Sequence, residues 1–274
     1  GVKVSNMNKT ENVKAQYAND MNLSIRIQLH IKHSTNKQGL TPWLFERYSF
    51  EENYRILELG CGNGAQWNRR IENLPSGCKL VLSDLSEGMV SSVKEKYSQY
   101  DNVSFAQIEI QSIPFESDSF DIVIANHMLY HISDLDKALS EVKRVLKPSG
   151  YFYATTNGNG GMRTFLRDAM KHHNIATQVF NKEWSFALQN GKDILERHFS
   201  SVERIDYEDS LAITETQDLI DWLMSTLSIA SYSEENIHEL HNYFEEIRVR
   251  DGAINIPKEC GLFVSRKSTG AETK

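Results

Sequence analysis

The feature that most constrains this chain is a glycine-spaced turn set directly behind a short apolar run. Arg55-Ile56-Leu57-Glu58-Leu59 is followed at once by Gly60-Cys61-Gly62-Asn63-Gly64-Ala65. A short apolar run ended this abruptly reads as a strand buried on both faces. The turn then leads into a covering helix, predicted over residues 65–74. Further apolar runs at 79–83, 103–108, 120–125 and 150–155 read as strands, with helices predicted at 86–97 and 135–146. Strands alternating with helices at this spacing mean βαβ units on a parallel sheet.

Within these elements Ser86 is the N-cap candidate of its helix, with Met89, Val90 and Val93 facing inward. Pro148 and Gly150 stop the helix before the fifth strand. Upstream, Val13, Tyr17, Met21, Ile25 and Leu29 recur every four residues and predict a helix over 11–29. Ser34 to Gly39 breaks it, and a short helix is expected from Pro42 to Arg47. After Thr156 the rhythm is lost. A loop at 157–161 precedes helices expected at 162–174, 192–199, 215–229 and 233–248, with strands at 202–207 and 261–265. Leu219, Leu223 and Leu227 form one apolar stripe that reads as packing.

The expected fold is α/β: a doubly wound, Rossmann-like, mostly parallel seven-stranded sheet with a helical N-terminal lid and helical insertions. Residues 1–6, ahead of Met7, read as a cloning remnant. The lid is assigned to 7–49 and the ligand-binding core to 50–156. Helical substrate-cover insertions, with a sheet strand near 202–207, occupy 157–250. The final strand and tail fill 251–274.

Composition narrows the classes. Of 274 residues, 40% are hydrophobic and 24% charged, which suits a soluble globular chain rather than a disordered one. No apolar run nears the roughly 18 residues of a membrane span, and no signal sequence is visible, so no membrane partner is expected. Three cysteines make no disulfide framework, so a cytoplasmic setting is the default. Without CxxC or HExxH no metal site is expected. The net charge is -7, and residues 208–251 hold eleven Asp/Glu against two Lys/Arg. Such a block disfavours nucleic acid as a partner. It reads either as a solvated helical face or as a lure for a cationic substrate.

At the carboxyl end of a parallel strand, glycines let backbone approach a ligand, and a helix N-terminus adds positive charge. The string at 60–65 satisfies two templates: GxGxxA of dinucleotide binding, and GxGxG of S-adenosylmethionine (SAM) binding. Asp84, ending the second strand, does not separate them, because both ligands present a ribose diol there.

Four segments together do separate them. Ile56-Leu57-Glu58-Leu59-Gly60-Cys61-Gly62-Asn63-Gly64 resembles motif I of the class I SAM-dependent methyltransferases. Ile113-Pro114-Phe115 with Asp118-Ser119-Phe120-Asp121 resembles their LPF…SFD segment. Asn126 to Ile132 resembles the stretch after strand four in small-molecule members. Arg144-Val145-Leu146-Lys147-Pro148-Ser149-Gly150 resembles their RVLKPGG turn. Order and spacing match the family over residues 54–156. Ser149 departs from the turn, and Ile108-Glu109 stands where the family often has Gly-Asp.

The resemblance implies SAM as cofactor and S-adenosylhomocysteine as product. It implies a cofactor site of Glu58, Gly60, Cys61, Gly62, Gly64, Asp84, Leu85, Met89, Glu109, Ile110, Asn126 and His127. Tyr17 and Arg26 of the expected lid join that set, Arg26 as a fork for the SAM carboxylate. His127 and His131 are the candidates for a general base or for positioning. Trp43, Tyr130, His131 and Asp168 are the substrate candidates, Asp168 as an anchor for a cation. The segment 24–30 with Ser34-Thr35-Asn36 resembles N-methyltransferases of plantazolicin-like azole peptides, which act on a terminal amine beside an arginine. The expected function is methyl transfer to a small molecule or modified peptide, at an amine nitrogen. An O-methyltransferase of a polyketide, sugar or phenol is the alternative, and a nicotinamide oxidoreductase the remote one. The chain is expected to be a monomer or weak dimer.

Overall fold

A computed structural model describes residues 21–175, 180–226 and 233–268. The chain forms two compact units. Of the described residues, one comprises 38–159, 184–207 and 259–268; the other comprises 21–37, 160–175, 180–183, 208–226 and 233–258.

The first unit is built on a seven-stranded sheet. Its strands are β1 (Arg55–Leu59), β2 (Lys79–Asp84), β3 (Val103–Gln107), β4 (Phe120–Asn126), β5 (Leu146–Asn157), β6 (Ser201–Asp206) and a C-terminal strand, Cys260–Arg266. The spatial order is β3-β2-β1-β4-β5, then the C-terminal strand, then β6. All pairings are parallel except those of the C-terminal strand, which is antiparallel to β5 and β6. The order steps outward from β1 in both directions, so β1 and β4 flank the switch point where such sheets bind ligands. Ile56, Leu57, Ile122, Val123 and Ile124 are fully buried, as strands covered on both faces require.

The family-like segments prove to be structurally coupled. The Arg144 guanidinium donates to the carbonyl oxygens of Phe115 (2.7 Å) and Ile113 (2.8 Å), while its Nε meets Glu141 at 2.5 Å. Asp121 accepts from the Arg55 amide at 2.8 Å and from Lys147 Nζ at 3.1 Å. These bonds tie residues 144–147 to the segment before β4 and to the edges of β4 and β1.

Helices of this unit are α2 (Leu40–Arg47), α3 (Glu87–Tyr97), α4 (Leu135–Val145) and α6 (Gly191–Glu196); α1 (residues 21–33) and α5 (Met162–His172) belong to the other unit. Ser86 caps α3 by accepting from the Met89 amide. Val93 is buried, but Met89 is 37% exposed, so the inward assignment of Met89 is corrected. The helix expected over 65–74 is absent. Two single 3-10 turns, Ala65–Trp67 and Ile71–Asn73, stand there instead. Asn68 is extended and Arg69 has φ +61°, because Trp67 is drawn down to bury its ring beside Glu58. Tertiary burial here outweighs local helix propensity.

The second unit contains α1, α5 (Met162–His172), α7 (Thr216–Thr226) and α8 (Glu234–Asp251). It also has a two-stranded antiparallel sheet, β7 (Ser210–Ile213) with β8 (Ile254–Pro257), so the C-terminal strand is β9. Neither short strand is legible in the sequence, since four residues carry too little alternation to register. Leu29, Leu166, Met170, Leu211, Leu219, Leu223, Phe244 and Ile256 make this unit's core. The four-residue stripe on α1 is only partly inward: Leu29 is buried, whereas Met21 is 65% exposed. Val13, Tyr17 and Leu227 lie outside the described residues. Among the described residues, no helix is long and apolar enough to cross a membrane.

Candidate active site

The glycine turn leaves β1 and runs through three left-handed glycines, Gly60 (φ +66°), Gly62 (φ +57°) and Gly64 (φ +70°). They serve different ends. A Cβ on Gly64 would sit 2.8 Å from Val93 Cγ1 and 3.0 Å from Tyr97 Cε2, and one on Gly60 would meet Met128 at 3.2 Å. A Cβ on Gly62 would meet nothing within 4 Å. Gly60 and Gly64 therefore seat the turn against the protein, while Gly62 faces open space.

Side chains distant in sequence hold this turn. Tyr97 Oη donates to the Gly64 carbonyl at 2.6 Å, and Lys96 Nζ to the Asn63 carbonyl at 3.0 Å. Asp84 Oδ2 accepts from the Gly62 amide at 3.0 Å, and its Oδ1 from the Ser86 amide at 2.9 Å. Each carboxylate oxygen keeps a further lone pair, enough for the two hydroxyls of a ribose. Leu85 (65% exposed) and Met89 lie beside it as exposed apolar side chains suited to a flat base.

Glu58 is 1% exposed, beneath the turn. Its Oε1 accepts from Gln66 Nε2 (2.5 Å) and Trp67 Nε1 (3.0 Å), and Asn126 Nδ2 stands 3.5 Å from Oε2. Burial pushes this carboxyl up to about 7 against the pull of those two donors, with the Asp84 charge adding to the rise. Cys61 is buried too, and burial raises its thiol.

Beyond β4, Asn126 is fully engaged. Its Nδ2 donates to Tyr48 Oη at 3.2 Å, and its Oδ1 accepts from Thr155 Oγ1 at 3.1 Å. His127 follows in the left-handed region (φ +50°), its amide donating to the Thr155 carbonyl and its Nε2 4.0 Å from Cys260 Sγ. Tyr130 packs on Trp184 (centroids 4.1 Å apart) and on His131 (4.4 Å), and burial pushes its phenol up to about 12. His131 is exposed.

The structure thus gathers Glu58, Gly60, Cys61, Gly62, Gly64, Asp84, Leu85, Met89, Asn126 and His127 around one turn and its two neighbouring strand ends. Glu109 is half-buried in a bridge to Ser112, and Ile110 beside it is buried. Trp43 is 6% exposed, its ring covered by the Arg47 guanidinium at 3.9 Å and by Tyr207 edge-on at 5.2 Å. That covering occupies the face a cationic substrate would need. Arg26 and Asp168 belong to the second unit, where Arg26 donates to the Ser225 carbonyl at 3.1 Å and Asp168 is exposed. Tyr17 lies outside the described residues. Gln66, Trp67, Lys96, Tyr97, Tyr48, Thr155, Cys260 and Trp184 escape sequence reasoning, since each meets the site through contacts with no local sequence signal. No group of three or more His, Cys, Asp or Glu able to hold a metal occurs among the described residues.

A family model described as a methyltransferase domain matches residues 50–203, which spans the glycine turn, Asp84 and the β4 segment. The chain belongs to the methyltransferase domain family. Its fold is that of the class I SAM-dependent methyltransferases, and SAM is the cofactor of that family. The turn's own geometry suits SAM, with open space at Gly62 and a lone pair left on each Asp84 carboxylate oxygen. Among curated relatives, this methyltransferase-family chain is 30% identical over 115 residues to the ubiquinone/menaquinone biosynthesis C-methyltransferase UbiE of Pectobacterium carotovorum, covering 39% of this chain and 46% of that one. It is 35% identical over 96 residues to the demethylmenaquinone methyltransferase of Clavibacter sepedonicus, covering 35% and 38%. The chain spans less than half the length of these relatives. Among solved structures it resembles the YcgJ protein of Bacillus subtilis, with 19% identity, a TM-score of 0.57 and coverage of 84% and 98%. It also resembles a phosphoethanolamine N-methyltransferase of Haemonchus contortus, solved with phosphomonomethylethanolamine and S-adenosylhomocysteine. There the identity is 19%, the TM-score 0.53 and the coverage 84% and 52%.

Proposed function

We propose that this chain moves the methyl group of SAM to an amine nitrogen of a small molecule or modified peptide. SAM supplies an electrophilic methyl on a good neutral leaving group, so the protein's task is alignment and water exclusion. In this reading Gly62 admits the cofactor backbone-close, Asp84 takes the ribose hydroxyls, and Leu85 and Met89 flank the base. The carrying observation for nitrogen is what the β4 segment offers. It presents imidazoles, His127 and His131, and a phenol raised to about 12, which stays protonated and donates rather than accepts. A neutral amine brings its own lone pair and needs only a weak acceptor for the proton released after transfer. A hydroxyl needs deprotonation beforehand, which an imidazole does less readily. The similar proteins include a C-methyltransferase and an N-methyltransferase, so the acceptor atom is not a family property.

The test is a mass-spectrometric methyl-transfer screen with primary and secondary amines, peptides with an N-terminal amine beside arginine, and phenols. The expected result is turnover on amines, with an azole peptide of the plantazolicin type as one arm. Preference for phenols would overturn the nitrogen assignment and put O-methylation in its place. Turnover of none, together with SAM binding, would overturn the catalytic reading.

A further inference from the structure

After β4 the chain makes a single 3-10 turn, Leu129–His131, in which Leu129 is fully buried and Tyr130 half-buried. The Tyr130 ring is packed by two others, Trp184 at 4.1 Å and His131 at 4.4 Å between centroids. Trp184 is fixed in turn. Its amide donates to Asn159 Oδ1 at 2.9 Å, and the next residue, Ser185, donates its Oγ to the Tyr130 carbonyl at 3.3 Å. All of these residues belong to the first unit. The phenol oxygen contrasts with its well-held ring. Among the described residues it has no hydrogen-bond partner, and it is not one of the unmet polar atoms closed off from solvent. A donor fixed by its ring and open at its tip is preorganised for a ligand. The Cys260 thiol links this tip to His127. Its Sγ is 4.0 Å from His127 Nε2, and its charge adds to the rise of the Tyr130 phenol. A molecule that meets His127 with its nitrogen can therefore meet Tyr130 with a group a few bonds away.

We propose that Tyr130 determines acceptor specificity by donating its O–H to a carbonyl oxygen beside the methylated nitrogen, which makes α-amino acyl compounds the substrate class. The proposal rests on the methyl-transfer reading above. Two arguments select the carbonyl. A protonated phenol has a hydrogen to give, and a carbonyl oxygen is a neutral acceptor that takes it without a counter-charge. An acyl group also lowers the basicity of the amine next to it: α-amino groups titrate near about 8, against about 10.4 for an alkyl ammonium. A site that offers imidazoles as its acceptors of protons is served by an amine already largely neutral near pH 7 to 8. Tyr130 in this role touches the acceptor away from the reacting atoms and moves no proton.

The experiment uses the full chain with leucinamide and with 1,3-dimethylbutylamine, which carries a methyl group where leucinamide carries its carboxamide. Wild type should favour leucinamide in kcat/KM. Comparing each variant with wild type on the same probe cancels the difference in amine basicity. Tyr130→Phe keeps the ring between Trp184 and His131 and removes only the hydroxyl. It should raise KM for leucinamide about fivefold, the loss of one neutral hydrogen bond, with kcat little changed. KM for the alkylamine, SAM affinity and melting temperature should match wild type. Tyr54→Phe, which removes a surface phenol paired with Glu51, should behave as wild type on both probes. Binding of the two probes in the presence of S-adenosylhomocysteine, read by ligand-observed NMR, needs no turnover and separates two failures. Selective loss of leucinamide binding in Tyr130→Phe without turnover supports the anchor and overturns the amine-transfer reading. Turnover with a KM change of equal size on both probes, or with none on either, overturns the anchor alone.

Discussion

Replacing Glu58 with glutamine should stabilise this protein above pH 7 and leave it unchanged near pH 4. Glu58 is buried, and its carboxyl is raised from an ordinary 4.5 to about 7. The folded state therefore holds a proton that the unfolded chain has already released between those values. Stability falls as pH rises across that window, and the full cost of about 3 kcal/mol is present above pH 7. The amide introduced by Glu58→Gln would keep an acceptor for Gln66 and Trp67, and would carry no charge to desolvate. His30 runs the other way. Burial lowers it to about 4, so its contribution is lost as pH falls from 6.5 toward 4. The wild-type profile alone mixes the two slopes; the difference between wild type and Glu58→Gln isolates the carboxyl. The assay is denaturant unfolding of both proteins at intervals from pH 4 to 8. Parallel profiles, or a variant less stable than wild type at pH 8, would refute the reasoning.

Three other perturbations test the site. Gly62→Ala should cost only about 1–2 kcal/mol for the left-handed backbone and should still weaken SAM, whereas Gly64→Ala should cost about 2–5 kcal/mol, because its Cβ also collides with Val93 and Tyr97. Unfolding curves and calorimetry with SAM separate the two. Asp84→Asn should weaken SAM by about 1.5–3 kcal/mol per charged hydrogen bond lost. Unchanged calorimetric affinity would remove Asp84 from the ribose. His127→Asn tolerates the left-handed backbone and removes only the imidazole. On an amine acceptor kcat should fall with SAM affinity unchanged, though by less than the about 10²-fold expected where a base acts in the transfer step itself, because the proton leaves after transfer; an unchanged kcat would show that His127 only shapes the loop.

Much of the sheet was legible in the chain itself. The runs at 55–59, 79–83 and 120–125 are short, apolar and cleanly ended, so their burial and their parallel pairing follow from local pattern. The glycine turn, Asp84 and the four family-like segments announced the cofactor end in the same way, because backbone close approach needs particular residues at fixed spacing. What lay out of reach was decided by contacts between distant positions. Trp67 gave up a helix to bury its ring beside Glu58, and nothing between 65 and 74 signals that partner. Tyr97 and Lys96 hold the carbonyls of a turn more than 30 residues away. Trp43 sat in the sequence as a candidate aromatic wall, yet Arg47 and Tyr207 close over its ring. The acidic run at 208–251 reads as one strong field in one dimension. Folding pairs Asp209, Glu215, Asp218, Glu245 and Asp251 of that run with Lys258, Lys32, Arg248 and Arg250. Local pattern sets which residues prefer strand, turn or helix, because those preferences act over a few bonds. The partners of buried charges and rings are chosen by desolvation and packing, and only the closed tertiary structure brings those groups within range.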